Sequence, residues 1–465
     1  MKKLLVFLFF LLLLIFLIFL SLQRYFLFQL FYYDFGIFSQ IIWQLSRFKV
    51  PYINHLVLGR IFFLGDHFNP SLVFLAPLYW LTSHQSILLL EQGLVTFLSS
   101  LIIYKIALKK KLHFFSALVI TLSFVAFAGT LNPLLTDWHP EPTATFFLLL
   151  FIYIFLFSKK TTEGIVAALI FLGFKESNAL TLIFVCFWLL FVDEKKRRSL
   201  IFLILFSIFW FFATTRFLIP LINKRFYLYT PEISFDPVNI YKNIINDPVR
   251  LRYLTFSLMS FAYLPLFSGW AMIPFLRELM MKFLPQKTLF TNFDFKMHYH
   301  TYLGAFLTVA SIFAICRLTK KFKKFKITEF ILIFFLLLFS LFSARKHTGS
   351  PINLAINSTF WREMKPKNEL FSFLKKIPQK GSVMSTNNLL AYLSNRNANL
   401  YFLSLNYEKY LPDIIVFDLS PNQNPNNYWE SNWEKRELIK KSLEEDKRYK
   451  KINFSNPNYY LFIKK

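Results

Sequence analysis

The chain is poor in acidic residues, glycine and cysteine. It has 26 Asp or Glu against 53 Lys or Arg, 11 Gly and 2 Cys in 465 residues. Cys186 and Cys316 both lie inside apolar runs, which favours buried small side chains over a disulfide or a metal pair. The sequence also lacks the P-loop, GxGxxG, CxxC, HExxH and GxSxG motifs, so neither an ATP-driven pump nor a zinc protease has support in its residues.

Long apolar runs make up much of the chain. Hydrophobic residues account for 55% of it, and 62 residues are Phe. Several runs reach or approach the roughly 20 residues that a helix needs to cross a bilayer. The net charge of +27 does not form one basic face, because many Lys and Arg stand in short clusters between apolar runs, as the positive-inside rule describes. These patterns predict a polytopic membrane protein with no nucleic-acid partner.

The basic clusters predict how the chain crosses the membrane. Lys2 and Lys3 precede an apolar run from Leu4 to about Leu22, which indicates an uncleaved first helix with its N-terminus inside. If every cluster is cytoplasmic, an even number of crossings separates successive clusters, which predicts about eleven transmembrane helices in the cytoplasmic (plasma) membrane. The later clusters are Lys105 with Lys109–Lys111, Lys159–Lys160, Lys195–Arg198, and Arg317 with Lys320 to Lys326.

Two domains are predicted. Residues 1–344 form an α-helical transmembrane domain with a long first outer loop at 24–85, and residues 345–465 form a small soluble α/β domain outside the membrane. Beyond Ala344 the apolar density falls, and short strand-like runs appear, with a charged helical stretch between the last two. The runs are Ser382–Met384, Leu400–Leu403, Ile414–Phe417 and Tyr459–Ile463, and the helical stretch is Glu434–Tyr449.

The acidic residues of the first half are concentrated in four polar islands. Nine Asp or Glu occur between Met1 and Thr230, three of them beside basic clusters. Five of the other six lie in the islands YDFGIF, GDHFNP, DWHPEP and FKESN. The predicted topology places these islands, and HYHTY near residue 300, on the outer side. Since carboxylates and imidazoles are costly near a bilayer, their clustering predicts one extracytoplasmic site.

These islands, together with HYHTYLGAFL and the tail phrase VMSTNNLLAYLSNR, resemble a family of uncharacterised multi-spanning membrane proteins (domain of unknown function 2079). The resemblance covers nearly the whole chain, because the islands recur in the same order. That family is similar in layout to the glycosyltransferases of the C superfamily, which use lipid-phosphate-linked sugars. Those enzymes carry acidic residues in the first extracytoplasmic loop. Asp34 occupies that position here, where Tyr33–Asp34–Phe35 offers one acid instead of the common two.

The resemblance implies an integral-membrane glycosyltransferase. It would move a sugar from a polyprenyl-phosphate donor to a glycan, lipid or protein acceptor on the outer side of the membrane. Membrane lipids would surround the enzyme as further partners. Such a transfer needs a base for the acceptor hydroxyl and cationic or metal help for the leaving phosphate. Asp34 is the candidate catalytic base, or else the cap of a helix that begins near Gly36. A secondary transporter or flippase and a non-catalytic membrane scaffold are the alternative functions.

The islands also predict a divalent-cation site, for Mn²⁺ or Mg²⁺, because carboxylates and imidazoles suit such ions. In an extended DWHPEP, side chains at alternate positions point to one side. Helix capping is the alternative role for DWHPEP and for GDHFNP. The candidate metal ligands are Asp66, His67, Asp137, His139 and Glu141.

Five further residues are candidates for substrate binding. A buried cation can offset the charge of a leaving phosphate. The alternatives are a buried ion pair within FKESN and an interfacial aromatic belt for HYH. The candidates are Lys175, Glu176, Arg216, His298 and His300.

The predicted topology can be tested by cysteine labelling of intact cells. In a chain with Cys186 and Cys316 replaced by Ala, Lys380→Cys should react with a membrane-impermeant maleimide, because the soluble domain is predicted to lie outside. Lys110→Cys should react only after permeabilisation, since its loop is predicted to face the cytoplasm. Protection of position 380 on intact cells would contradict both the topology and the shared outer site.

Overall fold

The structure is a computed structural model that describes residues 1–55, 58–230, 232–285, 290–323, 327–346, 357–358, 367–428 and 432–465. Within these residues, six helices are long and apolar enough to cross a bilayer, or seven if one bent pair counts as a span. The chain is therefore a mostly helical membrane protein, and the total of about eleven crossings stays a prediction. Lys324, Phe325 and Lys326, part of the last basic cluster, lie outside the described residues.

The helices are joined by connections that range from a few residues to the long segment between α2 and α3. The α-helices of the described residues are α1 (Lys2–Phe26), α2 (Ile37–Ser46), α3 (Leu78–Leu81), α4 (Ser86–Lys109), α5 (Phe114–Ala126), α6 (Ala128–Leu131), α7 (Pro140–Phe157), α8 (Thr161–Leu172), α9 (Asn178–Leu190), α10 (Arg197–Phe212), α11 (Ile219–Asn223), α12 (Pro237–Tyr241), α13 (Pro248–Met259), α14 (Ile273–Phe283), α15 (Thr301–Lys321), α16 (Thr328–Lys346), α17 (Asn368–Leu374), α18 (Asn387–Tyr392), α19 (Tyr407–Tyr410) and α20 (Asn432–Glu445). The six candidate spans are α1, α4, α7, Glu194–Asn223, His298–Lys321 and α16.

Helix α4 is central to the bundle, because it packs against α1, α5 and α7. Its 24 residues correspond to a length of about 36 Å, enough for a hydrocarbon core of about 30 Å. Gly93 lets α4 approach α1 closely: a Cβ at this position would lie 3.0 Å from Ile18 Cα and 3.1 Å from the Leu17 carbonyl oxygen. Small residues at helix crossings commonly permit such contact in membranes.

The bundle has two chemically different ends. At one end the basic clusters meet, next to the starts of α1, α5 and α16. At the other end lie the polar islands and the C-terminal sheet. Contacts that join the basic end are Lys2 Nζ over the Phe114 ring (4.6 Å), the Glu329 carboxylate accepting from the His113 amide (2.9 Å), and Lys196 Nζ donating to the Phe155 carbonyl (2.5 Å).

The C-terminal part contains a five-stranded sheet in the order β4-β3-β5-β7-β6. Strand β3 runs parallel to β4 and β5, while β7 runs antiparallel to β5 and β6. The four predicted strand runs are confirmed within a residue at each end. The strands are β3 (Val383–Ser385), β4 (Leu400–Phe402), β5 (Ile414–Asp418), β6 (Tyr449–Ile452) and β7 (Tyr459–Lys464).

The predicted helical stretch Glu434–Tyr449 is too long, because α20 ends at Glu445 and Tyr449 begins strand β6. Asp446 forms the turn between them, with its Oδ1 accepting a hydrogen bond from the Arg448 amide at 2.9 Å. The domain boundary predicted at residue 344 stays a prediction, since helix α16 continues to Lys346 and residues 347–356 lie outside the described residues.

The sheet domain is docked on loop 24–85. This loop contains α2, α3 and an antiparallel hairpin of β1 (Tyr52–His55) and β2 (Gly59–Phe62). The hydrogen bonds across this interface mostly use side-chain amides, so the interface is polar and directional. They include Asn54 Nδ2 to Leu400 O (2.8 Å), Gln40 Nε2 to Ala398 O (3.0 Å), Gln85 Nε2 to Tyr392 O (2.7 Å) and Tyr392 OH to Tyr25 O (2.6 Å).

The close contact between α1 and α4 predicts that Gly93→Val destabilises the protein by about 1–3 kcal/mol, the usual cost of overpacking. Thermal unfolding in detergent would measure the change. Leu94→Val, at the neighbouring position with 42% of the residue exposed, should change the melting temperature little. Equal effects at both positions would contradict the close packing of the two helices.

Candidate functional site

A polar cavity of about 200 Å³ lies at the end of the bundle that carries the islands. Loop 24–85, the start of α7, the turn between α8 and α9, and the segment before α15 form its walls. Residues from all four islands and from HYHTY line it. The polar lining consists of Tyr33, Asp34, His55, Asp66, His67, Asn69, His139, Glu141, Lys175, Tyr229, His298 and Tyr299.

Asp34 reaches the cavity from a single π-helical turn, Tyr32–Gly36. The turn is fixed to the sheet domain, because Asn387 Oδ1 accepts a hydrogen bond from the Tyr33 amide at 3.2 Å. The N-cap of the following helix is Gly36, which has no side chain, so Asp34 is not the capping residue. Burial raises the pKa of the Asp34 carboxyl, while nearby His139 partly offsets this shift.

His139, Glu141 and His298 form a compact cluster in the cavity wall. One potential ligand atom from each residue lies within 4.8 Å of those from the other two. The two imidazole rings stack with centroids 3.4 Å apart and an interplanar angle of 21°. Burial, together with His298, lowers the pKa of His139 to about 3, so this imidazole is neutral at pH 7 with a lone pair free to bind.

Lys175 forms an ion pair with Glu141, with 3.0 Å between Nζ and Oε1. The sequence suggested an ion pair of Lys175 with its chain neighbour Glu176 as an alternative; the direct ion pair of Lys175 in the structure is the one with Glu141. The two residues lie in the short turn between α8 and α9, where adjacent side chains face different partners. Burial by itself lowers the pKa of Lys175, but Glu141 and Glu176 outweigh it and raise the pKa overall, so the ammonium is charged at neutral pH.

Glu176 is buried behind the cavity and holds one of its walls in place. Its Oε1 lies 2.9 Å from His67 Nδ1 and accepts a hydrogen bond from Tyr227 OH at 2.7 Å. Its Oε2 accepts a hydrogen bond from the Phe68 amide at 3.0 Å. Burial by itself raises the pKa of Glu176, but His67, Lys175 and Tyr227 together outweigh burial, and the pKa falls to about 2. Glu176 is thus a positioning residue for the GDHFNP segment.

Asp66 is held by residues that the sequence did not single out. Its Oδ1 accepts a hydrogen bond from Tyr229 OH at 2.7 Å and lies 3.7 Å from His55 Nε2. The Tyr229 ring also stacks on His67, with centroids 4.4 Å apart. The sequence contains one signal for the role of Tyr229, its alternation with Tyr227 after helix α11. Alternate residues of an extended segment face the same side, so both tyrosines can face the site.

Three predicted site residues, Asp137, His300 and Arg216, do not line the cavity. Asp137 Oδ2 accepts a hydrogen bond from the Phe31 amide at 2.9 Å, since helix α7 starts at Pro140 and ends the alternation expected for DWHPEP. Burial raises the pKa of Asp137 to about 6. His300 Nε2 lies 3.0 Å from the Asp294 carbonyl oxygen. Arg216 is exposed on the π-helical segment after α10.

Glu91 and Gln92, in the second turn of the apolar helix α4, anchor the DWHPEP segment. Glu91 accepts hydrogen bonds from Trp138 Nε1 (2.9 Å) and the Thr143 hydroxyl (2.7 Å). Gln92 Oε1 accepts one from the His139 amide at 3.0 Å. Glu91 was the one acid of the first half in neither an island nor a basic cluster. A carboxylate inside an apolar span is itself a signal of a partner.

The fold and the cavity define a multi-spanning membrane protein with a buried polar site at one end. The chain belongs to the family of predicted membrane proteins DUF2079, whose family model matches residues 24–456. The resemblance deduced from the islands is therefore confirmed. A comparison with curated proteins found no match.

Glu176→Gln is expected to destabilise the protein by about 3–5 kcal/mol, because it leaves the charged His67 without its buried partner. The contribution of Glu176 is present above its ordinary pKa of 4.5 and is lost as the pH falls towards its folded value of about 2. The folded pKa of His67 is raised from 6.5, because Glu176 and Asp66 outweigh burial. The contribution of His67 is therefore present below pH 6.5 and is lost as the pH rises through its folded pKa.

Thermal unfolding of the wild type and of Glu176→Gln, measured at pH values from below 4.5 to above 6.5, would test the ion pair of Glu176 with His67. The difference in melting temperature should be largest between pH 4.5 and 6.5, where both groups are charged in the unfolded and folded chain. Glu163→Gln, at a largely exposed position on α8, serves as the matched control and should change little. A difference that is independent of pH would contradict an ion pair.

Proposed function

We propose that this protein is an integral-membrane glycosyltransferase that moves a sugar from a polyprenyl-phosphate donor to an acceptor outside the cytoplasmic membrane. One observation carries the proposal: Asp34 and Lys175 line the same cavity of a membrane protein. A base for the acceptor hydroxyl and a fixed cation for the leaving phosphate are the two groups that such a transfer needs.

In the proposed step, the acceptor oxygen forms a bond to the anomeric carbon of the sugar while the bond from that carbon to the phosphate oxygen breaks. Asp34 takes the proton of the acceptor hydroxyl, and the polyprenyl phosphate leaves with the electron pair of the broken bond. Lys175, held by Glu141, offsets the charge on the leaving phosphate. Burial of Asp34 supports its role, because a raised pKa makes the carboxylate a stronger base.

The size and surroundings of the cavity support a donor with a small polar head and a lipid tail. About 200 Å³ suits a compact head group, since pockets for larger ligands span about 300–1,000 Å³. Beside the cavity, the apolar helix α11 is fixed by Asn223, which donates a hydrogen bond to the Gly65 carbonyl at 2.9 Å. Leu221 on this helix is 78% exposed. The polyprenyl chain would lie along this face in the bilayer.

A second cavity, of about 450 Å³, is the proposed site for the acceptor. It lies between the β1–β2 hairpin and the sheet domain, and His55 lines both cavities. Its walls combine the cations Arg60 and Lys409 with the aromatic rings of Tyr401 and Tyr410. Aromatic faces and cations together suit a glycan that carries acidic groups.

The proposal includes a layout similar to the C superfamily, with about eleven crossings and the sheet domain outside. Further apolar helices support this layout besides the six long ones. They are the bent pair Phe114–Ala126 with Ala128–Leu135 and the shorter helices Pro70–Leu81, α8 and α9. The meeting of the basic clusters at one end of the bundle supports an orientation with that end in the cytoplasm.

Asp34→Asn is expected to lower turnover by roughly 10²–10⁴-fold, because the amide keeps the shape but cannot accept the proton. The measurement uses the purified full-length protein, a polyprenyl-phosphate sugar donor and a glycan acceptor, with product followed by mass spectrometry. Thermal unfolding is measured alongside and should change little, since Asp34 is not the cap of a helix.

Asp236→Asn is the matched control for this experiment. Asp236 is exposed and caps α12 by accepting a hydrogen bond from the Val238 amide, a role that Asn also fulfils. Its turnover should equal that of the wild type. If Asp34→Asn transfers sugar at the wild-type rate, Asp34 is not the base. If the wild type moves the lipid-linked sugar across a vesicle membrane without transferring it, the protein is a flippase.

A further inference from the structure

We propose that His139, Glu141 and His298 form a binding site for one divalent transition-metal ion of the Zn²⁺ or Mn²⁺ class. All three residues are buried, and their potential ligand atoms lie within 4.8 Å of one another. Two of them come from the start of α7 and the third from the turn before α15. The metal proposal does not rest on the proposed transfer reaction, because its test involves no sugar.

The Glu141 carboxylate has one oxygen available for an ion. Its Oε1 accepts a hydrogen bond from Lys175 Nζ at 3.0 Å. Within the part of the chain that the structure describes, its buried Oε2 has no hydrogen-bond partner. Leaving such an atom unsatisfied costs about 1–3 kcal/mol, and more for a charged group. A bound cation removes this cost and explains why a buried carboxylate lies beside two stacked imidazoles.

The other three metal ligands predicted from the sequence, Asp66, His67 and Asp137, have other partners. Asp66 accepts a hydrogen bond from Tyr229, and His67 is paired with Glu176. Of the five ligands predicted from the sequence, only His139 and Glu141 belong to the cluster. The third ligand comes instead from His298, predicted as a substrate-binding residue.

The ligand types select the metal. Two imidazoles and one carboxylate are the protein ligands of many catalytic zinc sites, which keep a further position open for water or substrate. Mn²⁺ accepts the same mixed set, although nitrogen ligands favour later metals. Mg²⁺ prefers oxygen ligands in a strict octahedral arrangement, so the two imidazoles disfavour it.

The local charge is compatible with a dication. The ion pair of Glu141 with Lys175 is neutral as a whole, and the Asp34 carboxyl lines the same cavity. Lys175 is on the Oε1 side of Glu141, which leaves the Oε2 side for the metal.

The test is direct metal binding to the full-length protein in detergent, after removal of metal with EDTA. Isothermal titration with ZnCl₂, MnCl₂ and MgCl₂, followed by elemental analysis, should give one Zn²⁺ or Mn²⁺ per chain and weaker binding of Mg²⁺. His298→Gln should weaken binding by more than about 100-fold, since the loss of even an outer-shell partner costs about 10–100-fold. Unchanged binding by His298→Gln would overturn the assignment.

His300→Gln is the matched control, because His300 lies two residues away and faces the Asp294 carbonyl oxygen. It should bind the metal as the wild type does. If either variant fails to fold, the visible spectrum of Co²⁺ bound to the wild-type protein decides. Strong d–d bands of a four- or five-coordinate site with nitrogen ligands support the proposal. The weak spectrum of octahedral aqueous Co²⁺, or the absence of stoichiometric binding, overturns it whatever the protein transfers.

Discussion

The hydrogen bonds of Glu91 on α4 are the interaction on which the cavity depends. A carboxylate in the second turn of an apolar helix needs strong partners, and Glu91 is hydrogen-bonded to Trp138 and Thr143, on either side of His139. The DWHPEP segment is therefore bound to a helix that packs against α1, α5 and α7. This attachment fixes the start of α7, which carries Glu141 and, through it, Lys175.

Hydrophobic length predicted a mostly helical membrane protein, because a bilayer requires long apolar helices. The long apolar helices, the C-terminal strands and the meeting of the islands at one cavity follow from such local rules. The pairing of charges did not follow from them. Lys175 pairs with Glu141, and Glu176 pairs with His67. Which residues pair depends on how the helix ends are rotated relative to each other. A helix start one residue earlier or later turns a side chain by about 100°.

The same limit explains the residues that the sequence misplaced or missed. Asp137 and His139 are two residues apart, yet one faces Arg24 and the other the cavity, because the backbone changes from extended to helical at Pro140. His55 and Tyr229 come from segments without a distinctive motif. Their role emerges only when loop 24–85 and the segment after α11 fold against each other. Tertiary packing thus determines which residues line the cavity. The sequence predicted only the segments from which those residues come.

The hydrogen bond between Asn387 and the Tyr33 amide joins groups that are 354 residues apart in the chain. At about 5–20 residues per second, the ribosome needs roughly 20–70 s to make the second partner after the first. The turn that carries Asp34 is synthesised early, but the contact that secures it can form only after Asn387 has been made. A polypeptide released prematurely therefore carries all four islands without the domain that holds the first of them. Completion of the site therefore requires translation to have passed Asn387.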